Sequence, residues 1–526
     1  MKNSQKKTTQ FVKNKLPIII LFLIAGVMRV FNWNHLNTLA GDEGVQLLTA
    51  EHFIKYKVLP TVGEISALDT KNQYLMHNSP LGYYFISLVY LLGFKTAEGY
   101  VLIFVFLNLI QAYLLYQAAK SLWGKQAGMT ALVLALFSHS MIHASIWTSQ
   151  PVIAVFFESI ALFLAAKFIK KRKDKFFIAS SLVSLLATQF YPPMYLLLPI
   201  KIGLYCFGFK KIKKKKQTMA LTLMGAILIY LPLLQIELKY DWINFQTLNN
   251  YLQNPDFTIT EDSFGTRLVV SFKKMLKYIF PTFFSQTILF FIILGGIISE
   301  IYSMINQKLI QKKIVGIFLL WFSPILFLAI VFKNPHLMDE RAYLFIAIPF
   351  LLLWLGALLS RLNKKLFIPI IVFLIFFLIF YDLKLVQNNS SFNHIEKTNI
   401  TITAILENTK QKKLQLTDID LLAISNYDPY GWETSFYWYV LEKITHQYLV
   451  DIDMETSKAK RKSNTSPKVL YIICHDVQDS FTKIDCLNSF EKYINEKYYQ
   501  EKFILKEVID SPIKPIMVMH AESKLN

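Results

Sequence analysis

Two adjacent carboxylates, Asp42 and Glu43, lie between glycines in Gly41-Asp42-Glu43-Gly44, just beyond an apolar run at 16–31. An ionisable group close to lipid is costly without a partner or a task, so this pair is the first candidate for chemistry. A carboxylate within hydrogen-bond reach of a hydroxyl can take its proton as a general base. A solvated turn, with the glycines supplying turn geometry, is the plain alternative, and the pair alone does not decide between the two. The surroundings favour chemistry. Arg29 stands near the end of the preceding run, Ala50-Glu51-His52 follows at helical spacing, and His77-Asn78-Ser79-Pro80-Leu81-Gly82-Tyr83-Tyr84 closes the stretch. Further on, Asp339-Glu340-Arg341-Ala342-Tyr343 sets an arginine among polar residues at the mouth of another apolar run. A departing phosphate needs fixed positive charge rather than a strong acid, and a guanidinium can bind it bidentately. Lys333 and His336 are second-rank neighbours for the same task, and interfacial anchoring explains all three cations as well.

His139 and His143 approach one end of an apolar run, where a buried, hydrogen-bonded histidine is the plain reading and a cavity-facing one the functional reading. Glu158 falls inside an apolar run and should face the interior of a bundle. No grouping of His, Asp and Glu has metal-ligand spacing. The chemistry therefore requires no cofactor, and a divalent cation is the one addition it would accept. In the tail, Asn426-Tyr427-Asp428-Pro429-Tyr430-Gly431-Trp432 could stack on a sugar or simply pack a core.

The elements that must position these residues are membrane helices. The chain of 526 residues is 54% hydrophobic and 17% charged, against about 25% charged in an ordinary soluble domain. Its mean hydropathy is +0.37, and aromatic residues make up 15% of it. A soluble enzyme and a disordered scaffold are both excluded. The net charge of +20 would suggest nucleic acid in a soluble chain, but the lysines and arginines cluster between apolar runs and no nucleic-acid module accompanies them. Membrane orientation accounts for them better.

The run at 16–31 follows a basic N-terminus and lacks a small-residue cleavage site, so it reads as an uncleaved first span. Further runs of spanning length lie near 99–119, 127–146, 152–169, 176–192, 194–209, 218–235, 285–305, 314–332, 342–360 and 366–381. The segment 81–94 is too short to span and suits an interfacial or re-entrant helix. Counting it as a span would put every later basic cluster outside. Leaving it at the interface gives about 11 spans, with the clusters at 120–125, 167–175, 210–216, 308–313 and 361–365 in the cytoplasm. On that parity the first loop, 32–94, is external, and so is the tail from 382.

The tail has a different texture. Segments 421–425 and 469–474 read as short buried strands, with 503–509 a third, and 434–444 and 487–497 carry helical spacing. Strands alternating with helices predict a small α/β domain. The polar, basic segment 457–467 reads as a loop. Of the three cysteines, Cys206 lies in an apolar run, while Cys474 and Cys486 would pair in an extracytoplasmic tail or stay as two buried thiols.

The order Arg29, spacer, Asp42-Glu43, then His77-Asn78-Ser79-Pro80-Leu81 resembles the first external loop of the GT-C superfamily of membrane glycosyltransferases, which includes protein O-mannosyltransferases and the aminoarabinose transferases of lipid A. The family segment is of His-Pro-Pro-Leu type, and here Asn78 and Ser79 depart from it. The likeness extends through Trp147-Thr148-Ser149-Gln150-Pro151, Gln189-Phe190-Tyr191-Pro192-Pro193, Leu231-Pro232-Leu233 to Asn244, and Asp339-Glu340-Arg341-Ala342-Tyr343 ahead of Pro349. It implies a mainly α, polytopic helical bundle over 1–381, with an external interfacial loop, and an extracytoplasmic α/β domain over 382–526. It also implies inverting transfer of a sugar from a polyprenyl-phosphate donor to a lipid, glycan or protein acceptor on the external face of the plasma membrane. Asp42 and Glu43 are then the catalytic pair. Arg341, Lys333 and His77 meet the donor phosphate, and Arg29, His143, Gln189 and Tyr343 line the substrate cavity.

Two rivals belong to other classes. A transporter or flippase of lipid-linked sugars predicts paired half-repeats and helices broken near the midplane, and no repeat is evident in the sequence. A non-catalytic assembly protein would keep the loop without turnover. The topology carries its own prediction: single cysteines at 42 and within 210–216 should label from opposite sides of the membrane, and labelling from one side would overturn the parity argument.

Overall fold

The computed structural model describes residues 2–36, 42–63, 65–69, 74–197, 212–253, 263, 265–267, 269–270, 345–388, 394–424, 434–453, 458–462, 467–474, 503–510 and 515–521. In chain order, α1 (Lys2–Leu36) and α2 (Asp42–Tyr56) are followed by a two-stranded ribbon, β1 (Ile65–Asp69) with β2 (Tyr74–His77). Helices α3 (Leu81–Leu91), α4 (Ala97–Trp123), α5 (Lys125–Phe137), α6 (His139–Ile146), α7 (Gln150–Lys171) and α8 (Asp174–Phe190) come next, with a 3-10 turn at Pro192–Leu197. Then come α9 (Lys215–Lys239), α10 (Ile243–Gln253), α11 (Ile348–Leu359), α12 (Lys364–Asn388) and α13 (His394–Gln411). The C-terminal part holds β3 (Ile419–Ile424), α14 (Thr434–Thr445), β4 (Val450–Asp453), β5 (Lys458–Arg461), β6 (Val469–Cys474), β7 (Phe503–Asp510) and β8 (Pro515–Ala521). The chain forms two compact units: Met1–Trp33, Ser66–Gly82 and Val101–Asn388 make the first, and Asn34–Ile65, Tyr83–Tyr100 and Asn389–Asn526 the second.

The first unit is a bundle of apolar helices. Among the described residues, Leu16–Trp33, Ala97–Trp123, Gln150–Lys171, Lys215–Lys239 and Lys365–Lys384 are long and apolar enough to cross a bilayer. The expected runs at 285–305 and 314–332, and most of 194–209, lie outside the described residues.

Two runs read as single spans differ in the structure. The run at 127–146 is broken: α5 and α6 meet at Ser138 with a bend of 53°. Ser138 takes an extended backbone, φ −66° and ψ 138°, which ends the helical ladder there. The run at 342–360 yields only the 12-residue α11. Pro349 lies in its first turn, where a residue without an N–H is tolerated, and a 3-10 turn at Phe345–Ala347 precedes it.

Small residues let the bundle close. A Cβ on Gly356 of α11 would lie 2.7 Å from the Ala127 carbonyl oxygen of α5, with the Ala131 methyl also close. Without a hydrophobic drive between helices in lipid, such close backbone approach supplies the packing. Gly356→Ala should therefore force the two helices apart and destabilise the protein by roughly 1–3 kcal/mol. A melting temperature in detergent equal to that of the wild type would show that the contact is slack.

The second unit contains a four-stranded sheet of order β3-β6-β8-β7. Strands β3 and β6 run parallel, with Leu421 paired to Tyr471, and β8 runs antiparallel to both β6 and β7. Every residue of β6 is buried, so this strand is covered on both faces. Thr434 at the start of α14 accepts the Ala423 N–H through Oγ1 at 2.9 Å, tying helix to sheet, and the Tyr471 hydroxyl donates to Asn408 of α13 at 2.8 Å.

Strand β8 stands between β6 and β7 and was not among the expected strands. The segment expected as a loop at 457–467 contributes β5, paired antiparallel with β4. The register sets Asp451 opposite Lys460 and Asp453 opposite Lys458. Cys474 is disulfide-bonded. Cys486, the helix expected at 487–497 and the aromatic loop at 426–432 lie outside the described residues.

Candidate active site

Asp42 and Glu43 open α2, in the second unit. The N-terminal turn of a helix is where carboxylates are favoured, because the unpaired amides and the helix dipole are positive there. Glu43 is buried, at 5% exposure. Gly44 is helical rather than part of a turn, and its lack of a side chain serves packing. A Cβ there would lie 2.5 Å from the Phe436 backbone nitrogen, so α2 and α14 cross backbone to backbone beside the acidic pair.

Further along α2, His52 Nε2 meets Glu442 Oε2 at 2.8 Å, with both side chains 2% exposed. The other Glu442 oxygen accepts the Leu449 and Val450 N–H groups at 2.6 and 3.0 Å. Tyr448 stacks on Tyr56 at 4.3 Å and meets the His52 ring edge-on at 4.5 Å. The helix that carries the carboxylate pair is thus held along its length by the C-terminal part of the chain. Glu442→Ala would leave His52 buried without its partner and two amides without an acceptor. Loss of one partner of such a buried pair costs roughly 3–5 kcal/mol, so the melting temperature should fall sharply. An unchanged value would show that this clamp carries no stability.

In the first unit, Arg29 is fully buried on α1. Its five N–H donors are all taken. Nε and Nη2 donate to Asn108 Oδ1 at 3.1 and 2.7 Å, Nη1 to the Ala25 and Leu136 carbonyls at 3.1 and 2.8 Å, and Nη2 also to the Ala135 carbonyl at 3.2 Å. Ala135 and Leu136 end α5 at the Ser138 break, where carbonyls lose the amides of the next turn. Beside this, the fully buried Asp382 of α12 accepts from Asn32 Nδ2 at 2.6 Å and pairs with His139 Nδ1 at 3.1 Å. The His143 ring lies 5.9 Å from that of His139 on α6. Glu158 faces the bundle interior, and its Oε2 accepts from the Ser184 hydroxyl at 3.2 Å.

His77 ends β2 and is also buried. The Asn244 side chain bonds its backbone from both sides, accepting the His77 N–H at 2.6 Å and donating to its carbonyl at 2.9 Å. The Tyr240 ring stacks on the imidazole at 5.9 Å and 10°. Asn78 Nδ2 reaches Gln150 Oε1 at 3.4 Å, and Gly82 lets Gln150 lie close, since a Cβ there would meet Nε2 at 2.7 Å.

Gln150 opens α7, and Thr148 and Ser149 precede it. Thr148 Oγ1, Ser149 Oγ and Gln150 Nε2 are buried without a hydrogen-bond partner among the described residues. Buried polar atoms left unpaired are costly unless something arrives to pair them, and a helix N-terminus favours an anionic or oxygen-rich group. Gln189, at the end of α8, is buried next to Tyr195.

Arg341, Lys333, His336 and Tyr343 lie outside the described residues. Sequence reasoning gave no role to Asn32, Asn108, Asp382, Asn244 or Glu442, nor to Thr148, Ser149 and Gln150 individually. Asp382 had a signal: it directly follows the apolar run at 366–381, and an ionisable residue so placed has a partner by default. Among the described residues no group of three or more His, Cys, Asp or Glu side chains could hold a metal ion.

Residues 77–235 match the family of dolichyl-phosphate-mannose-protein mannosyltransferases. No curated protein matches the sequence. The fold is similar to that of ArnT from Cupriavidus metallidurans, solved bound to undecaprenyl phosphate, with a TM-score of 0.55 and 11% identity over 97% of this chain and 99% of that one. It is also similar to the archaeal oligosaccharyltransferase AglB from Archaeoglobus fulgidus, solved with an inhibitory peptide and a dolichol-phosphate, with a TM-score of 0.50 and 13% identity over 96% of this chain and 76% of that one. The matched stretch holds His77, Asn78, Gln150 and Gln189, while Asp42-Glu43 precedes it. The family match and the shared fold together bear out the resemblance to the GT-C superfamily of membrane glycosyltransferases.

Proposed function

We propose that the protein moves a sugar from a polyprenyl-phosphate carrier to an acceptor hydroxyl on the extracytoplasmic face of the plasma membrane, with inversion at the anomeric carbon. The observation that carries this reading is the buried polar cluster of Thr148, Ser149, Gln150 and Asn78 beside His77, inside the stretch that matches a dolichyl-phosphate-mannose transferase family. The donors of Thr148, Ser149 and Gln150 that lack a partner among the described residues suit the oxygens of a sugar phosphate. The carriers bound in the two structural neighbours support the donor class.

In this account the acceptor oxygen attacks the anomeric carbon as the bond to the phosphate oxygen breaks. The acceptor proton passes to the Asp42 carboxylate, and the polyprenyl phosphate leaves with the bonding electrons. Glu43 orients substrate. Arg341, with Lys333 and His77, balances the charge growing on the phosphate. His143, Gln189 and Tyr343 line the cavity, and Arg29 serves it by fixing the α5–α6 break that presents His143. No step needs a metal, and a divalent cation could join Asp42 at the phosphate. The acceptor is a lipid, glycan or protein hydroxyl.

We place the N-terminus in the cytoplasm and the tail from 382 outside, as an α/β domain that holds α2. The bonded Cys474 supports that side, since disulfides persist in oxidising compartments.

The test is Asp42→Asn, which keeps shape and hydrogen bonding but cannot take a proton. Transfer in membranes at matched protein level should fall by a factor of roughly 10² to 10⁴, with donor binding kept, and Glu43→Gln should be milder. Full transfer by Asp42→Asn would remove the mechanism. Lost donor binding in a folded protein would make Asp42 a substrate contact instead of a base.

A further inference from the structure

Within the second unit, exposed apolar side chains come from three places that each carry lysines. Leu88 and Leu91, 52% and 62% exposed, form the outer stripe of α3, and Leu92, 65% exposed, follows it in the turn; the other face of the helix is buried through Tyr83, Ile86 and Tyr90. Val58 and Leu59 follow α2, and Ile444 is on α14; these are exposed too. The Tyr84 hydroxyl of α3 donates to the Pro60 carbonyl at 2.8 Å and its ring packs against Phe53, so the 58–60 segment lies alongside α3.

The lysines converge at the C-terminal end of α3. Lys443 Nζ donates to the Lys95 carbonyl at 2.7 Å and lies 5.6 Å from the centre of the Tyr90 ring, while Lys95 Nζ lies 6.0 Å from the same ring. Lys55 and Lys57 are exposed on the neighbouring segment. The acids facing this group are Glu51, which is buried and bonded by Lys55, and the partly exposed Glu98. Lys55, Lys95 and Lys443 therefore face Glu51 and Glu98, three lysines against two carboxylates. Burial pushes the Lys443 pKa below the ordinary lysine range; Lys55 and Lys95 push it the same way, and Glu51 and Glu98 push back. An arriving anion would relieve that crowding.

We propose that this face is a docking surface for anionic phospholipid: the leucines of α3, with Leu59 and Ile444, enter the acyl boundary, and Lys55, Lys95 and Lys443 hold headgroup phosphates. A water-filled anion site would not need the leucine stripe, and a purely apolar contact would not need lysines beside every exposed apolar edge. Long lysine stems suit this arrangement, since they lie along apolar surface while the ammonium reaches the headgroup level.

The full-length protein in neutral phosphatidylcholine micelles can be titrated with short-chain phosphatidylglycerol and its bound lipid counted by native mass spectrometry. Wild type should bind phosphatidylglycerol in preference to phosphatidylcholine, and less of it as salt rises. The joint variant Lys95→Gln, Lys443→Gln should bind it about thirtyfold more weakly, and Lys95→Arg, Lys443→Arg should restore binding. Equal binding of the two lipids by wild type would overturn the proposal even if the glutamine variant fails to fold. So would a folded glutamine variant with wild-type binding. Inorganic phosphate competing as well as phosphatidylglycerol would assign the lysines to a soluble anion and remove the membrane role. None of these readouts involves sugar transfer, so they stand apart from the proposed reaction.

Discussion

A guanidinium inside a bundle of apolar helices must find every hydrogen bond within the protein, and that requirement organises the first unit. In lipid an unpaired backbone group costs several kcal/mol. The break at Ser138 would create such groups at the end of α5, and Arg29 takes two of those carbonyls while Asn108 and Ala25 occupy its remaining donors. Two liabilities, a buried cation and an interrupted helix, cancel. Asp382 supplies the neighbouring negative charge, itself held by Asn32 and His139. Residues from α1, α4, the α5–α6 break and α12 are thereby locked in one polar network, and α6, which bears His143, takes its direction from it.

The second unit meets a parallel constraint with different means. The acidic pair opens a helix that needs support, and α14 gives it through a glycine-sized approach at Gly44 and a buried His52–Glu442 pair. Burying two ionisable groups is worthwhile only when their remaining atoms are also bonded. Glu442 meets this by accepting two backbone amides with its second oxygen. The tail thus acts on the carboxylates at one remove, by fixing the helix they begin.

Much of this arrangement was legible in the residues. Apolar run length marked α4, α7, α9 and α12, and the short run at 81–94 became the 11-residue α3, too short to span. Helical spacing around Glu51 and His52 marked α2, and the strands β3, β6 and β7 followed from their apolar, β-branched composition. The break at Ser138 was hidden because neither proline nor glycine marks it; its cause is tertiary, a buried arginine ready to take the freed carbonyls. Arg29 stood out by residue type, yet its contacts belong to partners far away in sequence. Gly44 looked like a turn glycine because its reason, the Phe436 backbone, lies almost four hundred residues on. Strand β5 was obscured by its lysines, and its partner β4 is evident only from the sheet register.

The central claim is chemical turnover of a lipid-linked sugar, and the direct measurement is a labelled-sugar chase. Membranes containing the full-length protein are incubated with polyprenyl-phosphate sugars labelled in the sugar, and the label is followed by extraction and mass spectrometry. The account predicts that label leaves the carrier, that free polyprenyl phosphate appears in equal amount, and that the sugar is found bonded to a membrane or surface acceptor. Label that stays on its carrier and only changes leaflet would contradict it and leave a transporter in its place.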